Sequence, residues 1–453
     1  MFSDSPPMQI RSAELIGALS RALDITEGQP QGHCHRVCWL GMKIGEGINL
    51  SREELSDLYY ALLLKDLGCS SNAARICQLY LADDIKFKSD FKLIDGSLSQ
   101  ALRFVLSHTG MESGMAERFR AIVNIMRNGG QISRELIEAR CHRGADIAKQ
   151  MGFSNRVADA IQNLDEHWDG SGKPEGRRRR EIPVSSQIAL MAQIADVFFI
   201  ANGRESATRE VQARNGTWFD SDLVDVFINL AEWNEFWEPL ADPDLATRIL
   251  ALEPHEHVRM ADEDYLDRVA KGFAMVVDSK SPFTAGHSSR VALYTDMIAE
   301  GLGLDATHRK HLSRAALLHD IGKLGISNTI LDKPSKLSDD QFTIIKTHPT
   351  LSADILRAIP AFSDMVQVAE GHHERLDGKG YPHALKGEEI NLDTRIVSVA
   401  DVFDALTADR PYRKAMSVAD ALAIMQKDVG TAFDANCFSA LLAALKVMQR
   451  EAA

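Results

Sequence analysis

Apolar residues recur along this chain mostly at intervals of three and four, the spacing at which side chains share one face of an α-helix. Leu312, Ala315, Ala316 and His319 fall at i, i+3, i+4 and i+7, which predicts one such face turned inward. Ser338-Asp339-Asp340-Gln341 reads as a capping box opening another helix, with a hydroxyl for an orphan N–H and a glutamine three residues on. Alternating β-branched runs with hairpin turns are scarce. The pattern predicts an all-α fold.

The pattern is also duplicated. Gly32-His33-Cys34-His35-Arg36-Val37 recurs as Gly286-His287-Ser288-Ser289-Arg290-Val291, and Leu64-Lys65-Asp66-Leu67-Gly68 as Leu318-His319-Asp320-Ile321-Gly322, both at an offset of 254 (287 minus 33). Asp169-Gly170-Ser171-Gly172-Lys173-Pro174 matches Asp377-Gly378-Lys379-Gly380-Tyr381-Pro382, Ala195-Asp196-Val197-Phe198 matches Ala400-Asp401-Val402-Phe403, and Gly216-Thr217-Trp218-Phe219-Asp220 recurs as Gly430-Thr431-Ala432-Phe433-Asp434. Matches that keep their order predict two tandem helical domains, 11–232 and 259–449. The stretch 233–258, with Glu238-Pro239 and Asp242-Pro243, is expected to be a linker. Pairing His142 with His348 gives the first copy about 48 extra residues (76 minus 28), expected near 75–140.

Composition narrows the class. Of 453 residues, 45% are hydrophobic and 25% charged, the balance of a water-soluble globular protein. No run reaches about 18 uncharged apolar residues, and MFSDSPPMQI has neither a basic nor an apolar leader segment, so a cytoplasmic protein without membrane contact is expected. Six scattered cysteines read as reduced thiols, with Cys34 and Cys38 spaced as a conceivable thiol pair. A net charge of -13 argues against DNA as a partner, although a site holding cations can still take a small anion.

The second copy gathers His287, His319, Asp320, His348, His372, His373 and Asp401 on separate predicted helices or helix ends. A single inward histidine is commonly a hydrogen-bonded core residue; seven ionisable groups together would be costly to bury without cations. Imidazole and carboxylate donors without cysteine suit Fe, Mn, Ni or Zn. Seven ligands exceed the need of one tetrahedral ion, so two divalent ions sharing Asp320 are expected, a pair suited to activating water against a phosphoester.

His319-Asp320-Ile321-Gly322-Lys323, His372-His373-Glu374-Arg375-Leu376-Asp377-Gly378-Lys379-Gly380-Tyr381-Pro382 and Asp401-Val402-Phe403-Asp404-Ala405-Leu406-Thr407 with Asp409-Arg410-Pro411-Tyr412-Arg413 resemble the HD-GYP subgroup of the HD phosphohydrolases over about 190 residues. The resemblance implies two tandem HD-type domains and a phosphodiesterase opening cyclic di-GMP or 3'3'-cyclic GMP-AMP to a linear dinucleotide, then to mononucleotides. It places the family's metal ligands on the seven residues above, with Asp320 and Lys323 catalytic. Lys323, Arg314, Gly380, Tyr381, Arg410 and Arg413 are candidate substrate contacts. The alternative is a nucleotide-sensing or interaction module without turnover, with a diguanylate cyclase domain or a second copy of the chain as candidate protein partners. Phe283 stands four before His287, where some members place a glutamate for a third ion; Asp278, or a water on Glu374, is the alternative oxygen source.

In the first copy, His33, Asp66, His142 and Asp196 are expected to stand for His287, Asp320, His348 and Asp401. Lys65 replaces the doublet histidine, Cys69 the lysine, Leu164 and Asp165 the histidine pair, and Lys173 the tyrosine. A degenerate domain follows, with Lys65 expected to fill the site by pairing Asp66; one surviving metal on the remaining ligands is the alternative. The run Arg177–Arg180 reads as a solvated face that can attract an anion.

Overall fold

Helix starts are written in the local sequence. Ser51 accepts from the Glu54 amide while Glu54 reaches back to the Ser51 backbone, and Ser338 and Gln341 form the same reciprocal pair. Asp305, Ser154 and Ser417 cap three further helices through N3 amides. The computed structural model describes residues 10–94, 98–111, 113–254 and 260–451. These are helical, with isolated bridges and no strand among the described residues.

The chain divides into two units, Met1–Tyr265 and Leu266–Ala453, the division falling in the first turn of one helix. The first unit holds α1 (Ser12–Thr26), α2 (His33–Gly47), α3 (Arg52–Leu64), α4 (Ala73–Tyr80), α5 (Asp84–Phe91), α6 (Leu98–His108), α7 (Met115–Gln150), α8 (Asn155–Gln162), α9 (Val184–Asn202), α10 (Arg204–Ala213), α11 (Ser221–Ala231), α12 (Asn234–Trp237) and α13 (Leu245–Leu252). Its core runs along α9, which is apolar on all sides and packs on α2, α3 and α10. Although α9 is long and apolar enough to span a bilayer, 72% of its apolar window is buried inside the fold.

The stretch 233–258 does not behave as a linker where it is described. Phe236, Trp237, Leu240 and Ile249 are buried, and Trp39 Nε1 donates to the Phe236 carbonyl at 2.9 Å, so it completes the first unit. The proline pairs mark helix ends inside that packing. The extra segment of the first copy forms α4 to α6 and most of α7, with its own cluster of Ile76, Leu79, Tyr80, Phe87, Phe104, Ile125 and Ile132.

The second unit contains α14 (Glu263–Asp278), α15 (His287–Gly301), α16 (Ala306–Leu318), α17 (Asn328–Leu331), α18 (Asp339–Ile345), α19 (His348–Arg357), α20 (Val366–Gly371), α21 (Leu392–Thr407), α22 (Val418–Gln426) and α23 (Ala435–Glu451). Helix α15 packs on α16, α21 and α23, and α19 on α20, so several helix ends meet around the residues of interest. All six cysteines are free. Cys34 and Cys38 turn their sulfurs to different partners, Asp66 and the Tyr59 carbonyl, and form no pair.

Candidate metal centre

Helix ends deliver six of the seven residues. His287 opens α15, the His319-Asp320 doublet follows α16, His348 opens α19, His372 and His373 follow α20, and Asp401 lies within α21. The two oxygens of Asp320 face different ways. Oδ2 lies 3.4 Å from His287 Nε2 and 3.3 Å from His319 Nε2, with Asp401 Oδ1 3.4 Å from His287 Nε2. Oδ1 lies 3.2 Å from His348 Nε2 and 3.6 Å from His372 Nε2, and His373 groups with those two histidines. The result is two donor sets hinged on one carboxylate.

The donors fit cations. His287 Nε2, His319 Nε2 and Asp320 Oδ1 are buried without a hydrogen-bond partner among the described residues, which is unfavourable unless something else binds them. The outer nitrogens fix the tautomers: Nδ1 of His319, His348 and His372 sits 2.6–2.8 Å from the carbonyl three residues back, leaving each Nε2 lone pair turned inward. Asp404 performs this task for His287, at 2.7 Å, and is itself held by Arg290 Nε at 2.5 Å. Sequence reasoning missed Asp404 and Arg290; the recurrence of Arg36 three residues after His33 was the available signal.

Electrostatics follow from burial and these contacts. Burial opposes charge on Asp320, but His319 and Lys323 outweigh it and hold the carboxyl well below its ordinary range. Burial lowers His372 to about 4 and pushes His373 down further, so both present neutral imidazole. For His287, burial is outweighed by Asp320 and Asp404, which raise it to about 9.

The expected substrate contacts separate into two groups. Lys323 sends its ammonium to within 2.5 Å of Asp320 Oδ2, and Tyr381 places its ring 4.8 Å from that of His373, so both border the centre. Arg314 does not: only 1% exposed, it pairs with Asp267 at 2.5–2.9 Å, an internal ion pair. Arg413 donates to the carbonyls of Ala405 and Leu406 and closes the end of α21. Arg410 exchanges backbone hydrogen bonds with Arg413 and turns Nε to the Ala405 carbonyl. Gly380 acts through its missing side chain, since a Cβ there would stand 2.4 Å from Glu374 Cα. Glu374 accepts from the His383 and Leu385 amides, one on each oxygen, and Asp278 takes the Ser288 amide and hydroxyl on Oδ1 alone.

In the first unit the structure corrects the register of two pairs. A Cβ on Gly322 would meet the His348 carbonyl at 2.1 Å, and one on Gly68 would meet that of Arg140 at 1.7 Å, so Arg140, not His142, stands for His348. His33 Nδ1 and Arg36 Nε both lie 2.6 Å from Asp196, as His287 and Arg290 bind Asp404; Asp196 therefore stands for Asp404, and Gln193 for Asp401. One offset of 208 (348 minus 140) covers this whole stretch, and the insertion becomes 46 residues (74 minus 28). The Ala-Asp-Val-Phe match was a coincidence one helical turn out of step. With Gln193 and Arg140 in ligand positions, the group of possible metal donors among the described residues of this unit is Glu27, Asp66 and Cys69, without His33, His142 or Asp196. Lys65 instead lies between Asp66 and His33 Nε2, and Arg140 pairs with Asp165, putting two cationic side chains where the second unit gathers its donor sets.

The family model described as "HD domain" matches residues 106–223 and 271–437. A 3'3'-cGAMP-specific phosphodiesterase 3 of Vibrio cholerae is 48% identical over 97% of this chain and 95% of its own length. A cyclic di-GMP phosphodiesterase response regulator, RpfG, of Xanthomonas campestris is 35% identical over 47% of this chain and 56% of its own. The crystal structure of a cyclic GMP-AMP specific phosphodiesterase of V. cholerae, V-cGAP3, aligns with a TM-score of 0.65 at 44% identity, covering 97% of this chain and 98% of that one.

Proposed function

The chain belongs to the HD-domain family, and from that premise we propose that it is a phosphodiesterase opening a cyclic dinucleotide, with turnover confined to the second unit. The observation that carries this reading is Asp320, whose two carboxylate oxygens each serve one histidine set. Two divalent ions of the Fe, Mn, Ni or Zn kind, held by His287, His319, His348, His372, His373, Asp320 and Asp401, would supply an activated water and neutralise charge on the phosphoryl oxygens. Phe283 offers no oxygen for a third ion, and Glu374 is engaged through both of its oxygens.

The chain's own groups then have distinct tasks. Carbonyls behind three histidines and Asp404 behind the fourth keep the Nε2 atoms aimed inward. Lys323 is assigned to charge on a phosphoryl oxygen in the transition state. Tyr381 offers a ring beside His373 for a base. We assign 3'3'-cyclic GMP-AMP as the preferred substrate, because the 48% identity to a phosphodiesterase named for it spans both units, whereas the cyclic di-GMP relative aligns over about half the chain.

Metal-loaded protein assayed with both cyclic dinucleotides, products resolved by chromatography, tests the reading. Hydrolysis of 3'3'-cyclic GMP-AMP is expected to exceed that of cyclic di-GMP, with two ions bound per chain. Asp320→Ala should abolish turnover and release metal, and Asp66→Ala, which removes no donor of the second unit, should leave turnover per folded chain within about twofold of the parent. Equal loss from both substitutions would refute the assignment. A diguanylate cyclase domain and a second copy of the chain are the protein partners to examine, by co-purification and light scattering.

A further inference from the structure

The first unit holds a cavity at positions that carry candidate ligands in the second unit. A cavity of about 880 Å³ runs from Arg140, Asp165 and Gln193, the positions of His348, His373 and Asp401 in the other copy, out to the inserted helices α4 to α7. The rings of Tyr80, Phe87, Phe91, Phe104 and Trp218 are among its lining. The charged lining, five Lys and Arg side chains against Glu27 and Asp165, is net positive. Asn72 and Gln193 are among the lining residues; they are 8% and 4% exposed, and their amide oxygens have no hydrogen-bond partner among the described residues. Phe91, Leu102 and Met126 border the cavity and are 46%, 40% and 62% exposed, a concentration of uncovered apolar surface at its mouth.

We propose that this cavity binds a purine nucleotide as a ligand that is not turned over. Three requirements converge on that chemistry. Net positive lining calls for an anion, aromatic walls for a flat apolar surface, and two buried unpaired acceptors for N–H donors on the same molecule. A phosphate carries the first, a purine ring the second, and its exocyclic amine or ring N–H the third. A fatty carboxylate would satisfy charge and apolar surface but would leave Asn72 and Gln193 unpaired. Turnover by the second unit enters neither the argument nor its test, so either reading can fail without the other.

The tryptophans make the test selective. All five, Trp39, Trp168, Trp218, Trp233 and Trp237, lie in the first unit, so intrinsic fluorescence excited at the red edge of indole absorption reports on that unit. The full chain is titrated with GMP, AMP, inorganic phosphate and octanoate. GMP or AMP is expected to give a saturable change that neither phosphate nor octanoate reproduces. Gly129→Phe fills the cavity from α7, where a Cβ meets nothing within 4 Å, and should weaken binding by about tenfold or more. Gln193→Leu keeps volume but removes one acceptor and should weaken it about three- to tenfold. No response to either nucleotide, an equal response to phosphate or octanoate, or unchanged affinity in either variant overturns the proposal.

Discussion

At the residue scale, the centre depends on atoms that never face a substrate. Asp404 holds the outer nitrogen of His287, so Asp404→Ala should free that ring and lower metal affinity by about 10- to 100-fold. Metal content after dialysis against a graded chelator checks it, and wild-type retention would assign Asp404 to packing alone. Lys323 lies against the shared carboxylate but is no donor to a cation, because an ammonium has no lone pair. Lys323→Ala should lower kcat by about 100-fold, the effect of removing one charge stabiliser, while bound metal stays near two ions. Metal loss as severe as in Asp320→Ala would show the lysine to be a scaffold for the site. The histidines were legible from sequence because adjacent pairs of buried imidazoles need an explanation. Arg314 misled because a cation near a phosphate-handling motif has two uses, and only its contact with Asp267 distinguishes them.

At the scale of elements, the loop after His373 is built twice on one plan. Glu374 accepts from the amides of His383 and Leu385, and Glu166 accepts from those of Glu175, Gly176 and Arg177. Gly380 and Gly172 let the returning strand of loop pass against the backbone of that glutamate's segment, where a Cβ would stand at 2.4 Å and 2.2 Å respectively. Gly380→Ala should therefore push the loop and Tyr381 outward, destabilise by about 1–3 kcal/mol, and raise KM with metal content intact. Thermal denaturation with steady-state kinetics decides, and an unchanged KM would remove the loop from substrate binding. The glycines and the tyrosine were visible in the sequence, whereas the pinning role of Glu374 was not, because its partners are backbone amides, which leave no trace in residue type.

At the scale of the whole molecule, one fold has been kept for two different electrostatic solutions. The second unit gathers imidazoles around a carboxylate; the first replaces those donors with Lys65 and Arg140, each paired to an acid. The first unit should therefore be acid-sensitive in a defined window. Burial lowers His167 to about 4, and although burial raises Glu27, Lys92 and Lys88 outweigh it and bring it down to about 2. Both folded values lie below the unfolded ones, about 6.5 and about 4.3, so the unfolded chain takes up protons first. Stability is complete above about pH 6.5 and falls as the pH drops towards 4, then further towards 2. Tryptophan-monitored melting should give a lower Tm at pH 5 than at pH 7.5, and an equal or higher Tm would show that the folded state does not hold His167 neutral.

The sequence by itself determined the helical class, the duplication and the set of seven candidate donors in the second unit, because periodicity, ordered repeats and clustered histidines are properties of residue type and order. It could not set the register of the first copy's degenerate residues. There a three-residue slip keeps a helical face nearly in phase, and a four-letter match outweighed a constant offset. Only the contacts of Gly68 with Arg140, and of Asp196 with His33 and Arg36, decided which residue had replaced which. Tertiary structure also decided that 234–252 belongs to a core and that the two oxygens of Asp320 point to different histidine sets. Those outcomes depend on which surfaces meet in space, and pairwise distance between residues far apart in the chain is carried by packing, which local pattern does not encode.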